Sequence, residues 1–521
     1  MSKCPWFSSF LALLVIVAHA SAARASQQVL QSTINSSHGR NVKEKQTHTP
    51  KTAWTPSMSS SHDHYDKDLF TPVEYLSALS ETEFTSMWHP EFPNYGVRIK
   101  KSPFCDGGVK SYTGYIDIEA RHLFFYFFES RNDPDKDDGQ GVPPPWAFSW
   151  SSFDAGPCRI SDANGTKYHP ESWNSNANVF FVDQPIGVGY SYADYGEEVG
   201  TTEEAAKDIA AFVAIFFENF NQFKGRPFHM TGESYGGRYI PLFAAEVYDQ
   251  NARLLEAGLT PINLTSAVIG NGWTETSTMV LSYYDMQCTA ASVPPILDIA
   301  SCVRMKQVVP RCEKRLKESC LDVYDEIDCT AASTFCANEL AVPFSSTGKN
   351  PYDISRDCDG ELEDTLCYPV TKYISNYLDS PSTQTKLGVD PSLRHSNYTL
   401  CSAKVSSAFS ATLDVLQPSH LHVAALLERG IRVLIYVGTY DWICNWVGNE
   451  RWTLALEWTH QREFVEEELR VWEVDGKRAG RTRSAGGLTF ATVEGAGHMV
   501  PYDKPKEALE LINRWMASEP L

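Results

Sequence analysis

Phe228-His229-Met230-Thr231-Gly232-Glu233-Ser234-Tyr235-Gly236-Gly237 is the stretch from which the fold follows. Phe228 to Thr231 has the length and character of a short strand, and Gly237 to Asp249 has helical composition. Between them Gly232-Glu233-Ser234-Tyr235-Gly236 fits G-x-S-x-G. A serine on a sharp strand-to-helix turn is held in an exposed, strained position, and the flanking glycines leave room for the turn. The pentapeptide alone is a weak signal; the strand before it and the helix after it give it meaning.

The same alternation extends outward. Leu123 to Phe128 and Val179 to Val182 are apolar runs of strand length. Thr201 to Phe220 reads as a helix. Thr201 and Glu204 make a capping box, and Ile209, Phe212, Val213, Phe216 and Phe220 recur on one face. Ala267 to Ile269 and Val433 to Val437 are further short apolar strands. Pro505 is placed to open a last helix, with Ala508, Leu511, Ile512 and Trp515 on one stripe. Strands alternating with helices predict an α/β protein with a mostly parallel central sheet and helices on both faces. The stretch 275–415 interrupts the alternation. It is dense in cysteine and predicts an inserted cap domain, which loop-closure entropy tolerates because it grows slowly with length.

A serine hydroxyl needs a base, and the base needs an orienting acid. In the α/β-hydrolase arrangement that G-x-S-x-G suggests, these follow in the order Ser, Asp, His. Asp441 comes directly after the strand Val433 to Val437, in Gly438-Thr439-Tyr440-Asp441. That is the strand-end position where α/β sheets present functional groups. His498 sits in the loop Gly495-Ala496-Gly497-His498-Met499, before the last helix. Order and loop placement therefore nominate Ser234, Asp441 and His498 as a catalytic triad for acyl transfer. The backbone N–H of Tyr235 would supply half of an oxyanion hole.

The 521 residues include 45 basic and 65 acidic ones, a formal net charge of −20. That balance argues against a nucleic-acid partner, whose phosphates call for a basic face. Residues 1–22 read as a signal peptide. Lys3 is followed by the apolar run Phe7 to Ala18 and by Ala20-Ser21-Ala22, and the run is too short to span a bilayer. No later segment reads as a membrane span. Residues 23–95, rich in Ser, Thr, His and Lys, read as a propeptide or disordered lead-in. His62-Asp63-His64 lies there without further ligands nearby, so no metal and no cofactor are expected. The core is then expected in two parts, 96–274 and 416–521, around the insertion at 275–415.

Of 13 cysteines, only Cys4 falls in the leader. The rest, at spacings too wide for C-x-x-C zinc pairs, imply disulfides in an oxidising compartment. Asn35, Asn164, Asn263 and Asn397 each begin an N-x-Ser/Thr sequon. Asn164, Asn263 and Asn397 are the expected glycosylation sites.

Several further segments resemble the serine carboxypeptidases, specifically the carboxypeptidase Y type. They are Phe127-Phe128-Glu129-Ser130-Arg131-Asn132, Ser172-Trp173-Asn174-Ser175-Asn176 and Val182-Asp183-Gln184-Pro185 with Gly189-Tyr190-Ser191-Tyr192. Others are Tyr239-Ile240-Pro241, Ile269-Gly270-Asn271-Gly272, Ile443-Cys444-Asn445-Trp446 and Gly497-His498-Met499-Val500-Pro501. The likeness runs from about 90 to 518. It implies release of C-terminal amino acids from peptides or proteins at acidic pH, in a vacuole or lysosome or after secretion, by a monomer or homodimer. It implies that Glu233 hydrogen-bonds the substrate's terminal carboxylate, which requires a protonated acid and so favours low pH. Met499 would line the leaving amino acid's pocket, and Cys444 would be a free thiol near the substrate. It also implies the pairs Cys288–Cys302, Cys312–Cys336, Cys320–Cys329 and Cys358–Cys367.

Residues 138–150 depart from that pattern. The family has a strand ending W-L-N-G-G-P-G-C-S-S; this chain has Asp138-Gly139-Gln140-Gly141-Val142-Pro143-Pro144-Pro145-Trp146 and onward to Trp150. Consecutive prolines cannot donate to a central ladder, so one sheet strand loses its usual sequence. The glycine loop of the second oxyanion donor is missing too, as is the loop cysteine. That leaves Cys401 without its expected partner and Cys105 and Cys158 as substitutes. Matching length and flanks point to a shifted reading frame or exon boundary. Taken as written, the segment implies an impaired enzyme. An acyltransferase on the same scaffold is the alternative reaction.

Overall fold

The computed structural model describes residues 71–521 except 74, 106–107, 143–154, 395–397 and 399–401. The expected leader, most of the lead-in, the run Pro143-Pro144-Pro145, Asn397 and Cys401 lie outside the described residues.

Among the described residues, 13 strands form one sheet. Its centre is six parallel strands in the order Ala177–Val182, Asp138–Val142, Phe228–Glu233, Leu264–Gly270, Arg432–Gly438 and Leu488–Val493. The flanks are antiparallel. One side carries Arg121–Phe128, Ser111–Ile118, Tyr95–Lys101 and Thr85–Trp88, with the two-residue Tyr192–Ala193 also paired to Arg121–Phe128; the other carries Lys477–Ala485 and Arg470–Val474. The alternation of strands and helices describes the parallel centre from Ala177–Val182 onward, where each crossover includes a helix. The flanks are joined by short turns, which permit only antiparallel neighbours.

Both faces of the centre are covered, as the continuous apolar strands require. Val433, Ile435 and Val437 point to one face and Leu434 and Tyr436 to the other. The first face receives the helices Thr202–Asn219, Gly236–Glu256 and His420–Glu428 through Phe212, Phe216, Ile240, Phe243 and Leu426. The second receives Pro505–Met516 through Ala508, Leu511, Ile512 and Trp515, the stripe the sequence marked. Helix Thr202–Asn219 is capped by Thr201, whose hydroxyl accepts the Glu204 N–H. The Glu204 carboxylate reaches Gly200 N–H rather than that of Thr201, so the box closes one residue earlier than usual.

Two expectations need correction. The lead-in does not extend to residue 95. Thr85–Trp88 pairs with Tyr95–Lys101, and Leu76, Leu79 and Met87 are buried in the main core. Three apolar residues hidden in a polar stretch carried too weak a period to be noticed. The strand slot in doubt is also filled, by Asp138–Val142, which pairs on both sides. The prolines begin only after it, so the ladder donors are kept. Gly139 N–H donates to Pro227 O at 3.0 Å. The Asp138 carboxylate lies 3.5 Å from Nε2 of the buried His229.

Between Leu264–Gly270 and Arg432–Gly438 the chain forms the helices Thr276–Cys288, Ile299–Leu316 and Glu326–Leu340, with their own apolar cluster. Disulfides Cys288–Cys302, Cys312–Cys336 and Cys320–Cys329 tie these helices, and Cys358–Cys367 closes the next loop. Cys105 pairs with Cys158. Trp442 stacks on Tyr283 at 4.3 Å and on Phe344 at 4.0 Å, which packs this insertion against the loop carrying Asp441.

Candidate active site

Parallel strands aim all their carboxyl ends one way, and four such ends converge here. Glu233 is level with Gly270, Gly270 with Tyr436, and Gly438 with Val493. The residues that follow these ends are therefore neighbours although they are far apart in sequence.

Ser234 has φ +62°, a left-handed conformation that a serine adopts at a cost on the order of 1 kcal/mol. Three backbone hydrogen bonds hold it there. Ser234 N–H donates to Gly270 O at 3.0 Å, and Ser234 O accepts from Gly237 N–H at 3.0 Å and from Trp273 N–H at 2.8 Å. The turn is too tight for a side chain at Gly237, where a Cβ would sit 2.5 Å from Trp273 N. Helix Gly236–Glu256 starts at once, so Tyr235 N–H lies at the helix's open N-terminal end.

Asp441 is fully buried, and its carboxylate is nonetheless satisfied. Oδ2 lies 2.8 Å from Nδ1 of His498 and accepts the side-chain amide of Asn271 at 2.8 Å; Oδ1 accepts Cys444 N–H at 3.2 Å. His498 is 4% exposed. Its backbone N–H donates to Tyr352 O at 2.7 Å, and the Tyr352 ring stands 5.2 Å from the imidazole. The Asp503 carboxylate accepts Gly497 N–H at 2.7 Å and fixes the loop one residue earlier. The two loops touch backbone to backbone: a Cβ on Gly438 would meet Gly497 O at 2.0 Å, so only glycine allows the approach.

Cys444 links the two halves of the site. It is buried and unpaired, its side chain lies near Ser234, and its backbone N–H donates to Asp441. Burial, with Asp441 and Glu233 nearby, pushes the thiol well above the ordinary cysteine range. One ligating atom each from Asp441, Cys444 and His498 lies within 4.8 Å of the others. Such a set could hold a soft cation only after losing the thiol proton, which this environment opposes.

Met499 is buried against Tyr368 and Val370, with Tyr352 and Tyr502 beside them. Glu233 ends its strand next to Ser234, partly exposed. Asn164 and Asn263 are exposed. Sequence reasoning gave no role to Asn271, which bridges the Asp441 and His498 loops. Its signal was position: it follows the buried strand Leu264–Gly270 at the same end as Ser234.

The serine carboxypeptidase family model matches residues 103–518. Carboxypeptidase Y of Candida albicans is 39% identical over 437 residues, spanning 82% of this chain and 78% of that protein. Carboxypeptidase Y homolog A of Paracoccidioides brasiliensis (strain Pb03) is 40% identical over 439 residues, 82% of this chain and 76% of that protein. Among solved structures, a prohormone-processing carboxypeptidase of Saccharomyces cerevisiae, Kex1(delta)p, superposes with a TM-score of 0.66 at 22% identity. That match covers 79% of this chain and 92% of the other and shows a shared fold.

Proposed function

The chain belongs to the serine carboxypeptidase family and is a serine-type carboxypeptidase, and we propose that it works through an acyl-enzyme on Ser234. In this reading the Asp441 carboxylate holds the proton on Nδ1 of His498 and leaves Nε2 as the base. His498 takes the Ser234 proton, the serine oxygen attacks the last peptide carbonyl, and the protonated imidazole returns the proton to the departing amine. Water then repeats the cycle on the ester. Tyr235 N–H faces the developing oxyanion, where one such donor is worth about 10²–10³ in rate.

Glu233 is the acid that holds the substrate's terminal carboxylate. Two anions repel, so this contact forms only when one proton is shared, and activity belongs at acidic pH. Met499, with Tyr352 and Tyr368, forms an apolar wall for the departing amino acid. The leader-like N-terminus and the disulfides support a secretory route ending in a vacuole or lysosome, or outside the cell.

The observation that carries the reading is the joined constellation itself. The strained serine is bonded to Gly270, the next residue Asn271 donates to the Asp441 carboxylate, and that carboxylate faces Nδ1 of His498. The test is hydrolysis of N-blocked dipeptides near pH 5. Turnover with loss of the last residue, abolished in Ser234→Ala, supports the reading. A protein whose Ser234 ignores both peptides and a fluorophosphonate probe defeats it.

A further inference from the structure

Asp414 is 1% exposed, lies in the long insertion, and yet its carboxylate is spent on the nucleophile turn. Oδ2 accepts the Tyr235 hydroxyl at 2.7 Å, the Thr202 hydroxyl at 2.7 Å and Arg238 Nε at 3.2 Å. Oδ1 accepts Thr202 N–H at 2.8 Å. Arg238 is equally buried and uses its other end on Glu203, at 2.8 Å. One buried acid thus ties together three elements. They are the turn Asp414–Leu416, the start of helix Thr202–Asn219, and the first turn of helix Gly236–Glu256.

Tyr235 and Arg238 are one and four residues beyond Ser234, on the turn that presents Tyr235 N–H. The Tyr235 ring is also gripped from the insertion side by Phe409 at 6.2 Å and from its own helix by Tyr239 at 5.0 Å. A ring packed along its length and hydrogen-bonded at its tip has no freedom to rotate, and its backbone N–H moves only if the clamp moves. Catalytic donors act by being held in place before charge develops, so small displacements are costly.

We propose that Asp414 is a positioning residue of the oxyanion hole, acting through the Tyr235 hydroxyl and Arg238 to fix the direction of Tyr235 N–H. This rests on the reading of Ser234 as nucleophile. It places a determinant of catalysis in the insertion, some 180 residues along the chain from the serine it serves.

The decisive variant is Tyr235→Phe, which keeps the ring and its packing and removes only the tip contact. Asp414 retains Thr202 and Arg238, so the fold is kept. The expected result is a kcat lowered about tenfold with KM within about twofold of wild type. Affinity for a peptide aldehyde, whose adduct on Ser234 places an oxyanion at Tyr235 N–H, falls by a similar factor. Inhibition by the free product amino acid is unchanged. Asp414→Asn should lower kcat further and lower Tm as well. Wild-type kcat and aldehyde affinity in Tyr235→Phe would overturn the proposal, as would a loss confined to KM. A wild-type enzyme whose Ser234 takes no fluorophosphonate overturns the nucleophile reading first, and this one with it.

Discussion

Asn271 donates its side-chain amide to Oδ2 of Asp441 at 2.8 Å, the same oxygen that faces Nδ1 of His498. Its own carbonyl oxygen accepts Gly438 N–H at 3.4 Å, so one side chain spans the strand end and the acid. Asn271 has φ +44°, which an alanine would resist and a glycine accepts. Asn271→Gly therefore isolates the amide. It should lower kcat about 10–100-fold with little change in KM and cost about 1–3 kcal/mol of stability, because Asp441 is left underpaired in the core. Steady-state kinetics and urea unfolding check both.

The strain at Ser234 makes a second expectation. Replacing a left-handed serine by glycine removes the Cβ conflict. Ser234→Gly should abolish turnover while leaving Tm equal to or above that of wild type. A marked fall in Tm would mean that the hydroxyl contributes to the fold.

Cys444 should be slow to alkylate. Its thiol is fully buried and held well above the ordinary cysteine range by burial and by Asp441 and Glu233, so little thiolate is present at neutral pH. Mass spectrometry after iodoacetamide at pH 7.5 should find it unmodified in the folded protein and modified after denaturation. Rapid labelling of the native enzyme would show an open path to the site.

Stability should rise toward acid. Burial, opposed only in part by the nearby Arg121, pushes the Asp208 carboxyl up to about 7. The folded state then holds a proton that the unfolded chain has released above about pH 4. Its contribution is whole below that value and is lost as pH rises through 7, at up to about 1.4 kcal/mol per pH unit. Burial pushes Asp183 and Asp503 in the same direction. Unfolding free energies measured from pH 4.5 to 8 should fall with pH, and Asp208→Asn should flatten that slope.

The Cys105–Cys158 bridge closes a loop across 53 residues that includes strand Asp138–Val142. Constraining a loop of that length stabilises by about 4 kcal/mol. Cys105→Ser should lower Tm and loosen the hydrogen-exchange protection of Gly139 and its neighbours before that of Phe228–Glu233.

Much of this was legible along the chain. The G-x-S-x-G turn lay between a strand and a helix, Asp441 followed an apolar strand, and the last helix carried its stripe at Ala508, Leu511, Ile512 and Trp515. These signals are local: they depend on residues within a turn or two of one another. Of the antiparallel flanks only the apolar run in Arg121–Phe128 was legible, because Tyr95–Lys101 and Lys477–Ala485 are polar strands whose partners supply the pattern. The strand Asp138–Val142 was misjudged for a related reason. Its sequence has no strand character, and its place in the sheet comes from the backbones of Ala177–Val182 and Phe228–Glu233 on either side.

The sequence by itself determined four of the six strands of the parallel centre and the order of the serine, acid and imidazole, since periodicity and turn chemistry are written in neighbouring residues. Only the tertiary structure decided what surrounds them. Asn271 on Asp441 and Asp414 beneath Tyr235 are hydrogen bonds across 170 and 179 positions. A buried polar group takes whichever partner the packed chain brings within reach, and no local pattern names that partner in advance.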